Sequence, residues 1–323
     1  KGKGHELYEE VQELYFQLLK FIKISDFYDH RYVTYIESMD KDLFIKLFCV
    51  DPSFLLSETL KKGKAAIFFS ATLTPLDYYR DVLGGDEEDY IIIFPSPFPR
   101  ENLCVLIGDR VSTRYRDRDK TYLELVEYIE EFISHKKGNY FVFFPSYKYM
   151  KVVYQSFIDR NPDIKTIIQE SSMTEEEREE FLDRFNLDNE NTMVAFAVLG
   201  GIFSEGIDLV GDKLSGAVIV GVGLPQICFE RDIIREYFQS LNGLGYEYAY
   251  MYPGMNKVLQ AAGRVIRSEK DKGAILLIDD RFGTRKYKRL FPREWSHYKR
   301  VANSKSIKIN LMEFWSMKIK SFK

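Results

Sequence analysis

The sequence of 323 residues predicts an α/β protein built around a doubly wound parallel sheet, with a smaller α+β portion at the amino terminus. One observation predicts the sheet, and a second indicates where its functional residues lie. From residue 139 onwards, short apolar runs alternate with helical patterns, which is the order of parallel strands and their crossover helices. Polar loops follow several of these runs, so we expect functional residues to collect at the carboxyl ends of the strands.

The amino-terminal elements follow from periodicity and composition. Residues 6–24 are amphipathic and predict a helix, whereas RYVTYIE (31–37) and LFIKLFCV (43–50) predict two strands. The compact apolar run AAIFFS (65–70) suits a buried parallel strand. Residues 84–100 combine two glycines, acidic residues and three prolines, and this composition predicts an interdomain linker.

The remaining elements form the alternating pattern. A helix is predicted from Ser146 to about Asp159, and Thr174 with Glu177 forms a capping box that predicts the start of another. Apolar runs predict five strands, at residues 139–144, 164–169, 192–198, 216–222 and 274–278.

Composition limits the function classes. The hydrophobic share is 45%, and 46 basic residues oppose 49 acidic ones, so the net charge is −3. Nucleic-acid binding would therefore depend on local patches and backbone amides. Cys49, Cys104 and Cys228 are too far apart for a clustered metal motif and predict a reduced, cytoplasmic protein. We find no secretory signal and no membrane-length apolar run, so no membrane partner is expected.

The stretch QAAGRVIR at residues 260–267 carries the most information. Read as a helix, it places Gln260, Arg264 and Arg267 at positions i, i+4 and i+7, on one face. Two guanidiniums directed at one place suit a nucleotide phosphate, because each can bind phosphate oxygens bidentately and keeps its charge. The alternative is an amphipathic helix whose arginines are only solvated.

Polar loops follow four of the apolar runs. Each loop alone is an ordinary strand-to-helix turn, but their order and spacing beside the arginine stretch are more specific. The four loops are Ser70–Thr72, Pro145–Tyr147, Gly200–Asp208 and Asp279–Phe282. In the third loop, glycines allow positive φ and expose backbone N–H groups to a phosphate. There Ser204 supplies a hydroxyl, and Glu205 and Asp208 can hold arginines or a ribose.

Two alternative motifs fail on spacing. A nucleophile elbow, G-x-S-x-G, requires glycine two positions before Ser204, where Ile202 stands. A Walker A sequence, G-x-x-x-x-G-K-[ST], is absent from these residues. The chain therefore has anion-binding arginines without a primary phosphate loop. This combination is expected of one half of a two-lobed nucleotide site whose arginines act on a phosphate held by the other lobe.

The ordered motifs resemble those of a known family. The series SATLTP (70–75), FFPSY (143–147), GIFSEGIDL (201–209) and QAAGRVIRS (260–268), closed by DDRF (279–282), is similar to motifs III to VI of XPD/DinG-type superfamily-two DNA helicases. The resemblance covers roughly residues 30–300. It implies a second, RecA-like motor domain at 89–323. Residues 1–88 would form the end of the arch insertion and the last part of the first motor domain.

The resemblance also implies an activity. It indicates an ATP-dependent DNA helicase that acts in DNA repair and translocates as a monomer on single-stranded DNA, usually 5′ to 3′. ATP and Mg²⁺ would be held mainly by the upstream motor domain of the same polypeptide. The family's phosphate loop, its magnesium-binding acidic box and its iron–sulfur cysteines are absent from these residues. We therefore expect this fragment alone to be inactive and to contain neither a metal site nor the cluster.

Carried over position by position, the resemblance assigns roles to individual residues. Arg264 and Arg267 would be arginine fingers, with Gln260 sensing the γ-phosphate. Nucleotide contacts are further expected from Glu205, Gly206 and Asp208, and Gly206 would also touch the DNA backbone beside Ser204. The other expected DNA-binding residues are Ser70, Thr72, Ser146 and Tyr147.

A second hypothesis comes from a different class. The chain could be a non-catalytic nucleic-acid or protein-interaction module with a degenerate RecA-like fold. The missing Walker A sequence and the net acidity favour this alternative. Intact Gln260, Arg264 and Arg267 argue against it, because a decayed site has little use for two aligned arginines.

Overall fold

The computed structural model describes residues 6–40, 42–185, 191–203 and 214–317. The chain forms two compact units. The first comprises Lys1–Phe69, Leu76–Tyr90 and Ile227–Ala249, and the second comprises Ser70–Pro75, Ile91–Gln226 and Tyr250–Lys323. The segment Ile227–Ala249, from the second half of the chain, thus belongs to the same unit as the amino terminus. The domain boundary between residues 88 and 89 stays a prediction.

The described residues contain ten α-helices and nine strands. The helices are α1 Glu6–Ser25, α2 Ser53–Leu60, α3 Leu76–Val82, α4 Arg118–Ile133, α5 Tyr147–Arg160, α6 Glu175–Asp183, α7 Phe229–Asn242, α8 Tyr252–Ala262, α9 Arg285–Lys288 and α10 Ser304–Ser316. The strands are β1 Tyr32–Met39, β2 Asp42–Cys49, β3 Leu103–Gly108, β4 Asn139–Phe144, β5 Lys165–Ile168, β6 Met193–Val198, β7 Gly216–Val220, β8 Gly273–Ile278 and β9 Lys299–Arg300. Among the described residues, no helix is both long enough and apolar enough to cross a membrane.

The first unit confirms the predicted amino-terminal helix and two strands. β1 and β2 form an antiparallel hairpin. The prediction of a buried strand at residues 65–70 is wrong. This segment lies outside the described strands, and Ile67 and Phe69 are 84% and 89% exposed. A parallel strand is buried only when neighbouring strands and covering helices enclose it, and no described strand pairs with this segment.

The second unit is built on a parallel sheet. Its seven described strands have the order β5-β6-β4-β7-β8-β3-β9, and every neighbouring pair is parallel. This confirms the predicted α/β fold class and its RecA-like doubly wound sheet. The five strands predicted from apolar runs are present, whereas β3 and β9 were not predicted.

Local signals set the starts of two helices in this unit. The Ser146 hydroxyl accepts a hydrogen bond from the backbone N–H of Tyr149, at 3.4 Å, and begins α5. The predicted capping box begins α6, because Thr174 Oγ1 and the Glu177 carboxylate each accept the other residue's backbone N–H. Side-chain oxygens satisfy the otherwise unpaired N–H groups of a first helical turn.

The sheet is buried on both faces, which explains its continuous apolar runs. On β4, Phe141 and Phe143 belong to one core cluster, and Phe144 belongs to the cluster on the opposite face. The Phe141 ring stacks on the rings of Phe143 and Phe185, with centroids 5.0 and 4.8 Å apart. This packing fixes the positions from which the functional loops leave the strands.

Candidate nucleotide and nucleic-acid sites

The arginine stretch is not one helix. α8 ends at Ala262, and Arg264 and Arg267 lie in the turn that follows. The prediction that both arginines share a helix face with Gln260 is therefore wrong. The chain leaves the helix because Val265 turns inward and packs against the start of β8. A methyl group added to Gly273 would lie 2.3 Å from Cγ1 of Val265.

This turn lies at the amino edge of the sheet, where the strands begin. α8 begins beside the residues that follow β7, since a methyl group added to Gly254 would lie 2.7 Å from the Val222 oxygen, and the turn after α8 lies against Gly273 at the start of β8. The helix therefore runs antiparallel to these two strands. The backbone oxygen of Glu269 accepts a hydrogen bond from the side-chain amide of Asn102, at 3.0 Å, just before β3 begins. Arg264 and Arg267 are therefore not among the carboxyl-end loops, where functional residues were expected.

The two arginines differ in burial. Arg264 is only 7% exposed, whereas Arg267 is exposed and can reach a ligand without unpacking the turn. Sequence reasoning missed the residue that holds this turn, Asp271, which is 5% exposed. Its carboxylate accepts the backbone N–H groups of Arg267 and Ser268, each at 2.7 Å. The signal in the sequence was an acidic residue four positions after the second arginine.

The opposite, carboxyl edge carries the loop predicted to contact DNA. Ser146 and Tyr147 follow β4, as expected. Burial raises the pKa of Tyr147, and the charge of Glu170 raises it further, so the phenol stays neutral. Its oxygen accepts a hydrogen bond from Nε2 of Gln169, at 3.0 Å, and Oε1 of Gln169 accepts the N–H of Val198, at 3.0 Å. Buried Gln169, also missed from sequence, thus joins this loop to the end of β6.

A glycine turn follows β6 at the same edge. Gly200 has a φ of 72°, in agreement with the prediction that this loop uses positive φ. The side chain of Lys257 from α8 crosses it, because a methyl group added to Gly200 would lie 2.8 Å from Cε of Lys257. Gly201 lies beside Gln169, since a methyl group added there would be 3.2 Å from its Nε2. The glycine turn therefore packs between the side chains of Lys257 and Gln169.

Asp279, at the end of β8, has no exposed surface and organises the neighbouring loop. It accepts two hydrogen bonds from the Arg281 guanidinium, at 2.7 and 2.8 Å, and one from the Thr113 hydroxyl. Burial raises the pKa of Asp279, but the hydrogen bonds and charge of Arg281 together with the Thr113 hydroxyl outweigh burial, and the pKa is lowered. A buried, ionised carboxylate therefore ties the loop after β3 to β8.

The other expected site residues divide into two groups. Ser70 and Thr72 lie together, with hydroxyl oxygens 3.3 Å apart and the Thr72 N–H donating to Ser70 Oγ. Ser204, Glu205, Gly206 and Asp208 lie outside the described residues.

The arrangement offers two kinds of chemistry. At the amino edge, exposed Arg267 on a hydrogen-bonded turn suits a phosphate group. At the carboxyl edge, hydroxyls and glycine N–H groups suit a phosphodiester backbone. The described part of the chain contains no group of three or more His, Cys, Asp or Glu residues able to hold a metal ion.

Comparison with known proteins places this geometry in a family. The family model described as helicase C-terminal domain matches residues 129–298. The ATP-dependent DNA helicase CHL1 of Debaryomyces hansenii is 25% identical over 302 residues, covering 84% of this chain and 37% of the relative. The ATP-dependent DNA helicase DinG of Photobacterium profundum is 28% identical over 269 residues, covering 80% of this chain and 38% of the relative. The chain thus spans less than two-fifths of the length of either relative.

Solved structures agree on the fold. An XPD helicase structure superposes with a TM-score of 0.61 at 23% identity, covering 88% of this chain and 50% of that one. A structure of apo XPD superposes with a TM-score of 0.62 at 21% identity, covering 91% of this chain and 60% of that one. The chain therefore belongs to the helicase C-terminal domain family, in its XPD/DinG-type branch.

Proposed function

We propose that this chain is the carboxyl-terminal motor half of an ATP-dependent DNA helicase that translocates on single-stranded DNA. The names of its relatives support ATP use and DNA as the substrate. The observation that carries the proposal is the separation of two anion-binding regions. Arg267 is exposed at the amino edge of the sheet, and Ser146 with the Gly200 turn lies at the carboxyl edge. Six-residue strands put about 20 Å between these edges, enough for two separate ligands.

The amino edge serves the nucleotide. Arg267 acts as the arginine finger, because its side chain is exposed while its backbone is fixed by Asp271. Arg264, mostly buried, is the second finger and lines the base of the same turn, with Gln260 one turn earlier on α8 as the γ-phosphate sensor. The phosphate loop and the ligands of Mg²⁺ belong to a first motor domain outside these residues. ATP bound there supplies the phosphoryl group whose developing charge Arg267 stabilises.

The carboxyl edge serves the DNA backbone. Ser146 sits at the amino end of α5, where unpaired backbone N–H groups favour a phosphate oxygen. Tyr147 is held by Gln169 beside it, and the Gly200 turn leads into Ser204, Glu205, Gly206 and Asp208, which we propose contact DNA and nucleotide. Ser70 and Thr72 are proposed to couple hydrolysis to strand movement.

Exposed apolar residues in the first unit support the existence of a further lobe. Ile67, Phe69 and Tyr90 are 84%, 89% and 98% exposed. Exposed apolar surface of this extent is typical of an interaction face. Residues 65–69 lie in no described helix or strand, and a completed first motor domain would enclose them.

Single-turnover ATP hydrolysis by the full-length protein tests the proposal. Arg267→Ala should lower the rate by about 10³-fold or more, because a finger acts only on transition-state charge. Lys270→Ala is the matched control, since it removes an exposed cation from the same turn. An unchanged rate for Arg267→Ala would refute the finger and favour the alternative of a non-catalytic interaction module.

A further inference from the structure

We propose that Asp271 is the positioning residue of the arginine finger: its carboxylate fixes the backbone from which Arg267 projects. This inference rests on the proposed function of Arg267. Asp271 does not touch the nucleotide in this proposal. It acts through hydrogen bonds to the backbone, and its charge has no separate role.

The geometry of the turn supports this assignment. One carboxylate oxygen, Oδ2, accepts both the Arg267 and the Ser268 backbone N–H groups at 2.7 Å, and Oδ1 accepts the Ser268 hydroxyl at 2.8 Å. These amides lie beyond the end of α8, so no helical carbonyl accepts them. Three hydrogen bonds accepted by one buried side chain therefore set the direction in which the Arg267 side chain leaves the backbone.

A second buried contact keeps the rest of the turn in place. The Asn102 amide, in a residue 3% exposed, donates to the backbone oxygen of Glu269. Loss of the Asp271 carboxylate would therefore release the backbone at Arg267 while the turn remains attached to the start of β3. This predicts a local displacement of the finger. A displacement of about 1 Å from productive geometry can cost about 10²-fold in rate.

Asparagine at position 271 separates geometry from charge. Its side-chain oxygen can accept both backbone N–H groups, and its NH₂ group can donate to the Ser268 hydroxyl oxygen. Asp271→Asn therefore keeps three hydrogen bonds without the negative charge, whereas Asp271→Ala removes all three. Glu269→Ala is the matched control, because it removes a neighbouring exposed carboxylate and leaves the backbone oxygen in place.

The experiment is a double-mutant cycle on steady-state ATP hydrolysis by the full-length protein. We expect Asp271→Ala to lower kcat about 10²-fold with KM for ATP changed less than about threefold. We expect Asp271→Asn to stay within about fivefold of wild type and Glu269→Ala within about twofold. The double variant Asp271→Ala/Arg267→Ala should be no slower than Arg267→Ala alone, because a positioning residue has nothing left to position.

The outcomes distinguish the two proposals. If Arg267→Ala is slow and Asp271→Ala adds its full effect to it, Asp271 acts elsewhere and the inference is overturned while the finger stands. If Asp271→Asn loses as much as Asp271→Ala, charge rather than hydrogen-bond geometry matters, which also overturns it. If Arg267→Ala leaves kcat unchanged, the finger and the inference both fail. Thermal unfolding of each variant identifies misfolding, and the conservative Asp271→Asn variant decides the case if Asp271→Ala does not fold.

Discussion

Replacing Asp279 by alanine tests how the carboxyl edge of the sheet is held together. The Asp279 carboxylate has no exposed surface and receives hydrogen bonds from Arg281 and Thr113. Asp279→Ala removes the partner of a guanidinium whose side chain is only 15% exposed. The variant therefore removes the carboxylate that accepts two hydrogen bonds from a largely buried guanidinium, and one from the Thr113 hydroxyl.

The expected cost follows from that burial. Breaking a buried ion pair by removing one partner costs about 3–5 kcal/mol. Because Arg281 keeps some contact with water, we expect the lower end, about 3 kcal/mol. For a unit of this size a loss of 1 kcal/mol lowers the melting temperature by roughly 2–4 °C, so the second unit should melt about 6–12 °C lower.

The two tryptophans of the chain report on this unit alone, because Trp295 and Trp315 both belong to it. Urea unfolding followed by their fluorescence measures the free energy of unfolding. Asp280→Ala is the matched control. The Asp280 side chain is 38% exposed and pairs with Arg114 at 3.1 Å, an arrangement worth about 0–1 kcal/mol. Equal losses from the two variants would refute the reasoning, since burial would then not decide the cost.

Two further predictions concern stability. Because the folded pKa of Asp279 is lowered, the stability that its ionised carboxylate contributes is complete above the unfolded pKa near 3.8 and is lost as pH falls through the folded pKa. The loss of unfolding free energy in Asp279→Ala relative to wild type should therefore shrink below about pH 4 in acid unfolding curves. A loss that stays constant with pH would contradict the ionised state. Gly223→Ala should cost more than Gly243→Ala by about 1–3 kcal/mol in thermal unfolding followed by circular dichroism. Both glycines have positive φ (65° and 76°), but a methyl group at Gly223 would lie 2.4 Å from the backbone oxygen of Gly254, whereas at Gly243 it would meet no described atom within 4 Å. Equal costs would show that the backbone contact is not the cause.

Local signals predicted much of the second unit. Continuous apolar runs gave the strands at 139–144 and 192–198, and the Thr174 capping box gave the start of α6. These features depend on residues close in sequence. The end of α8 at Ala262 could not be predicted in this way, because it depends on Asp271 and on packing against Gly273. The failed strand at 65–70 has the same origin, since burial of a parallel strand is decided by its neighbours.

The positions of the site residues in the fold could likewise not be predicted from the sequence alone. The sequence motifs are ordered along the chain, and that order says nothing about which edge of the sheet each one occupies. The direction of α8 decides it: the helix descends from the carboxyl edge, where Lys257 crosses Gly200, towards the amino edge, where the turn bearing Arg267 begins. Under the proposed function, α8 therefore contacts the glycine turn on the DNA side through Lys257 and leads into the turn that carries Arg267 on the nucleotide side. Under the proposed function, the separation of the two edges lets this domain take a nucleotide phosphate and a DNA phosphate at once, with α8 running between the two places.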